Sequence, residues 1–179
     1  VKQAGLFIEN DDRNSLIELW KEGRYLSPRA LDSSRSPLPN PLNATMREWL
    51  SEESSRVSLL LADFGDGKTA FTYMLARELI SEFRDKPRDG WIPIRLALRW
   101  FSRPNVNSRD LFRARLEDLG SDVAQWRDLV ESRKVLVILD GLDEMTKSLN
   151  EDAVRSAIDL LTDCCNVELE QVQKILITC

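Results

Sequence analysis

Histidine is missing from all 179 residues. Its absence removes Ser-His and Cys-His nucleophile pairs and imidazole-ligated metal sites together, leaving proton transfer to Asp, Glu, Lys or Tyr. Cysteine is scarce: Cys164, Cys165 and Cys179. Adjacent cysteines seldom bond each other, so the chain reads as reduced, its thiols as small half-buried side chains, and its location as cytoplasmic. No apolar run approaches the roughly 18 residues of a membrane span, and no basic-then-apolar leader opens the chain. Basic excess is lacking too: 25 Lys and Arg face 30 Asp and Glu, a formal charge of -5. That balance argues against a dedicated nucleic-acid or anionic-membrane surface while leaving room for a small anionic ligand. There is no repeat of fixed period and no low-complexity tract.

What is present is an ordinary globular composition, 42% hydrophobic, long enough for one good core. Ser15 to Gly23 is spaced like one short helix ended by glycine. Leu31 to Asn43, with three prolines, is a linker or wrapped loop. Helical spacing resumes through Met46, Trp49 and Leu50, with Asn43 or Thr45 placed to cap it. Beyond residue 50 short apolar runs alternate with amphipathic stretches. The runs are Val57 to Ala62, Trp91 to Leu98, Lys134 to Asp140 and Lys174 to Thr178. Helical segments are expected over 68–83, 109–119, 122–132 and 151–165. Strand and helix in alternation predict an α/β fold, a parallel sheet with helices on both faces. The third run shows no alternation, as expected of a strand buried on both sides. The division expected is a helical and linker segment, 1–50, followed by the sheet domain, 51–179.

The junction between the first run and its helix reads Ala62-Asp63-Phe64-Gly65-Asp66-Gly67-Lys68-Thr69-Ala70. The spacing is that of a phosphate-binding loop, with alanine where the usual pattern begins with glycine. Gly65 and Gly67 let successive amides turn toward one anion, and the helix opening at Lys68 adds its positive end. Lys68 can reach outer phosphates, and the Thr69 hydroxyl can ligate magnesium. The bland alternative is a glycine-rich turn between a strand and a helix. At the far end of the third run, Asp140 stands where an open α/β sheet places its ligand and can hold magnesium through water. Asp143 and Glu144 follow, either able to orient or deprotonate a water attacking a γ-phosphate. No guanine-reading Asn-Lys-x-Asp run occurs, which argues against a GTPase.

The combination "ADFGDGKTAF", "WIPIRLAL", "VLVILDGLDEM" and "KILITC" resembles the NACHT family of signal-transducing P-loop ATPases (ASCE-type, STAND class). Its members include animal innate-immune sensors and bacterial, partly antiviral, proteins. In that family a small residue follows the magnesium-binding Asp and acids come three and four positions later, as Gly141, Asp143 and Glu144 do here. The resemblance covers about residues 56–179. It implies ATP or ADP and Mg2+ as cofactors, and self-association of the full-length protein controlled by nucleotide. It further implies that the segment around Tyr25 and Leu26 lies against adenine and that Thr178, on a sensor strand, faces the γ-phosphate. In the family the phosphate-loop strand lies between the sensor strand and a fifth strand. The sheet is therefore expected to be incomplete at its C-terminal edge, and hydrolysis to need an arginine and closing domains beyond Cys179. Two rival readings stand beside the switch: a scaffold locked by structural ADP, and a P-loop phosphotransferase acting on a small acceptor.

Overall fold

The computed structural model describes residues 31–179 except 33, 54, 64, 99–109, 111–112, 115, 118–119, 121, 144–154, 156–158, 160–161 and 163–168. Four strands, β1 (Val57–Leu60), β2 (Trp91–Ala97), β3 (Lys134–Asp140) and β4 (Lys174–Thr178), form one parallel sheet in the order β1-β4-β3-β2. The last strand in the chain thus lies beside the first. Helices α1 (Leu42–Ser51), α2 (Lys68–Asp85) and α3 (Val123–Ser132) complete the defined elements. The expected strands recur, with β1 ending two residues before Ala62 and β2 one before Leu98. Among the residues expected to be helical over 109–119 and 151–165, those described include helical Asp110, Leu116, Arg155 and Asp159. The Ser15 to Gly23 helix lies outside the described residues.

Residues of β3 alternate between two cores. Val135, Val137 and Leu139 join Ile92, Ile94 and Leu96 of β2, Ile175 of β4, and Trp126 and Val130 of α3 on one face. Leu136 and Ile138 join Leu176 of β4, Phe71, Leu75 and Leu79 of α2, and Met46, Trp49 and Leu50 of α1 on the other. Helices therefore cover both faces, and the unbroken apolar run of β3 is explained. Each such side chain taken fully from water contributes about 1.5–3 kcal/mol. The helix that straddles residue 50 packs in the same core as α2, and Arg47 pairs with Glu78 and Glu82 across that contact. Strand β1 forms one edge among the described residues, with Val57, Leu59 and Leu61 exposed.

Local sequence decides the helix starts. The α3 start is a complete capping box: the Asp122 carboxylate accepts from the Gln125 amide, while the Gln125 side chain accepts from the Asp122 amide. For α1 the expectation of an Asn43 or Thr45 cap is corrected. The N-cap is Pro41, with no side-chain cap; its carbonyl accepts the Ala44 and Thr45 amides. Proline has no amide to leave unsatisfied there and its fixed φ suits helix entry, so the helix starts earlier than the capping residues suggest. In the preceding loop Asp32 gathers the Ser34 hydroxyl and the Ser34 and Ser36 amides. The Ser34 hydroxyl foremost, then the Ser36 amide, holds its carboxyl below the ordinary aspartate range.

Candidate phosphate-loop and acidic site

The loop after β1 is pinned by the sheet before it curls. The Cys179 amide donates to the Leu60 carbonyl and the Ala62 amide to the Cys179 carbonyl, so the β1–β4 ladder continues into the first position of the loop. Asp66 then folds back: its carboxylate accepts from the Asp63 amide at 3.0 Å, and its amide donates to the Asp63 carbonyl at 3.2 Å. Gly65 and Gly67 carry φ of +91° and +80°, left-handed conformations that other residues rarely adopt. Among the described residues a Cβ built on either would meet nothing within 4 Å, so the requirement is conformational.

Gly67 is the N-cap of α2, and no side chain caps this end. No acid stands in the first turn either. The contrast with the closed start of α3 is physical: α2 has neither a side-chain cap on its leading amides nor an acid in its first turn, the arrangement that suits an external anion. Lys68 is the first residue of that helix. Its ammonium donates to the carbonyls of Ala62, at 2.7 Å, and Asp63, at 3.1 Å, and stands 3.7 Å from Asp143. A residue 75 positions distant in sequence is thus brought to the phosphate-type loop. Thr69 and Ala70 follow in the first turn, both half-buried.

Asp140 ends β3 beside β4, and Thr178 reaches it. The Thr178 hydroxyl donates to Asp140 Oδ1 at 2.5 Å and accepts from the Gly141 amide at 3.0 Å. Asp140 Oδ2 accepts from Arg95, a buried side chain that sequence reasoning did not single out. The signal was available: one cation in the otherwise apolar run "WIPIRLAL" must find a partner if the strand is buried. Tyr25, Leu26, Phe64 and Glu144 lie outside the described residues. The remaining expected residues, Ala62, Asp63, Gly65, Asp66, Gly67, Lys68, Thr69, Ala70, Asp140, Asp143 and Thr178, all stand in the loop after β1, in the first turn of α2, or at the ends of β3 and β4.

The donor set suits a hard cation. Thr69 offers a hydroxyl and Asp140 a carboxylate, the oxygen ligands that magnesium takes, and Asp140 already serves a cation through Arg95. Among the described residues no group of three or more Cys, Asp or Glu gathers that could hold a metal ion unaided. A metal here would depend on water and ligand phosphates, as magnesium in nucleotide sites does.

A parallel sheet covered on both faces, with a glycine loop and an uncapped helix following β1, defines a P-loop-type α/β protein. The sequence of the NACHT domain matches residues 56–179, and the chain belongs to that family of P-loop NTPases. An uncharacterised WD repeat-containing protein of Nostoc sp. is 29% identical over 110 residues, covering 57% of this chain and 7% of its own length. Among solved structures, the ORC2 protein of Aeropyrum pernix, described as ADPNP-ADP complexes, is similar at 15% identity and a TM-score of 0.38. That match covers 99% of this chain and 44% of the other. The chain therefore spans less than half the length of either relative. Among the described residues no helix is long and apolar enough to cross a membrane.

Proposed function

We propose that the chain is the nucleotide-binding part of an ATP-dependent signalling switch. It binds ATP or ADP with Mg2+ in the loop Ala62 to Ala70, hydrolyses ATP slowly, and in the full-length protein couples nucleotide state to self-association, in innate immunity or antiviral defence. The observation that carries the reading is the uncapped start of α2, with no acid in its first turn, entered through left-handed Gly67, with the Lys68 ammonium folded over the loop.

Each residue has a task that its position supports. The leading amides of α2 bind the inner phosphates. Lys68 exchanges its loop carbonyls for the outer ones. Thr69 and Asp140 hold magnesium, which neutralises phosphate charge when bound. Asp143, beside Lys68, and Glu144 orient or deprotonate the attacking water. Thr178 positions Asp140 through its 2.5 Å hydrogen bond.

The test is multiple-turnover phosphate release by the full-length protein at saturating Mg-ATP. Release of many phosphates per chain, slowed by Asp143→Asn or Glu144→Gln while nucleotide affinity holds, supports the switch. A tightly held ADP with no turnover replaces it with the structural-ADP scaffold. Release undiminished when both acids are neutralised refutes their assignment.

A further inference from the structure

A buried polar chain crosses the sheet beneath the proposed site. The Thr72 hydroxyl donates to the Thr69 carbonyl at 2.9 Å and accepts from Arg95 Nε at 3.3 Å. Arg95 also donates to the Tyr73 hydroxyl at 3.2 Å, its guanidinium 4.2 Å from that ring's centroid. Its remaining arm reaches Asp140 Oδ2, and Asp140 Oδ1 takes the Thr178 hydroxyl. The register pairs Ala97 with Asp140 and Arg95 with Ile138. Arg95 therefore leans along β2 to meet the carboxylate, as strand side chains can. The two side chains are 4% and 3% exposed.

Such a pair is a poor source of stability, since desolvation of both ions offsets most of their attraction and an apolar pair of similar volume often does as well. Its location is the informative feature. The carboxylate that Arg95 neutralises is the one at the C-terminal end of β3, where the ligand of a parallel sheet lies.

We propose that Arg95 is a resident cation on the metal acid: it occupies Asp140 while the site lacks metal, and magnesium must loosen the Arg95–Asp140 contact to use that carboxylate. The proposal rests on the reading of Asp140 as the magnesium acid. Two cations share one carboxylate, so Arg95 lowers magnesium affinity. The aromatic face of Tyr73 and the Thr72 hydroxyl keep the guanidinium in place as the contact loosens. Because Thr72 also holds the Thr69 carbonyl, the arrival of metal is passed to the first turn of α2. Arg95 acts through Asp140 and Thr72 and is a positioning residue.

The experiment follows thermal unfolding against Mg2+ concentration, with ADP held at saturation, for the unaltered protein, Arg95→Gln and Arg95→Gln/Asp140→Asn. Arg95→Gln should unfold at lower temperature without metal and regain stability with Mg2+, at an apparent affinity about tenfold or more above that of the unaltered protein. The double variant should show no such gain. An equal magnesium response in the unaltered protein and Arg95→Gln, or a loss that magnesium does not relieve, overturns the proposal. Where the variants fail to fold, the Arg95 Nε–H resonance of the unaltered protein decides. It should shift when Mg2+ is added to the ATP-saturated protein and stay in place with ATP under excess chelator; no shift on adding Mg2+ overturns the proposal. ATP binding under chelator, with Arg95 indifferent to magnesium, sinks this inference alone. Absence of ATP binding with and without Mg2+ sinks the nucleotide reading and, with it, the magnesium site on which this inference rests.

Discussion

Replacing Lys68 by methionine removes the ammonium and keeps most of the stem. In the free protein that ammonium is already served by two carbonyls at 2.7 and 3.1 Å, lies 3.7 Å from Asp143, and sits on a side chain only 10% exposed. Its worth to a bound phosphate is therefore the difference between two satisfied states. Truncating one partner of a desolvated charge pair costs about 2–5 kcal/mol, and the existing bonds place Lys68 at the low end, near 2 kcal/mol or about 30-fold in affinity. The loop carbonyls are close to solvent, so the fold should lose no more than about 1 kcal/mol from the missing hydrogen bonds. Calorimetric titration with Mg-ADP measures the affinity, and far-ultraviolet circular dichroism with a thermal melt checks the fold. Undiminished affinity in a folded Lys68→Met protein would refute the reasoning and put the nucleotide away from the loop.

Two further substitutions test how the supporting elements are built. A Cβ on Gly90 would stand 2.6 Å from Phe83 Cα and 3.1 Å from the Lys86 carbonyl, backbone atoms that cannot swing aside. Gly90→Ala should cost about 1–3 kcal/mol in urea unfolding, and parental stability would show that the turn into β2 yields freely. Asp122→Ala removes one half of the α3 capping box and should cost about 1 kcal/mol, with Asp122→Asn recovering most of it. An unchanged urea midpoint for the alanine variant would mean that packing of Trp126 and Val130 alone sets the start of that helix.

Features carried by neighbouring residues were legible in the sequence. The unbroken run Val135 to Leu139 announced a strand covered on both faces, and it is nearly inaccessible. Glycines at 65 and 67 announced a loop that curls, and the curl is left-handed at both, because a positive φ is a demand made on one residue at a time. The α2 helix opens at Lys68 as its spacing predicts, and resemblance to the family placed β4 beside β1. Even local reading failed where two local rules competed, as at Pro41, whose carbonyl and fixed φ took the cap expected of Asn43 or Thr45. Tertiary structure alone decided the partners of charge. Arg95 and Asp140 are 45 residues apart and not register neighbours, and Lys68 and Asp143 meet only because β1 and β3 flank β4 in a parallel sheet, which brings their C-terminal ends to the same edge. Periodicity and backbone conformation are local consequences of a few residues, whereas which ions meet depends on strand order and on the lean of long side chains, both set by how the whole sheet packs.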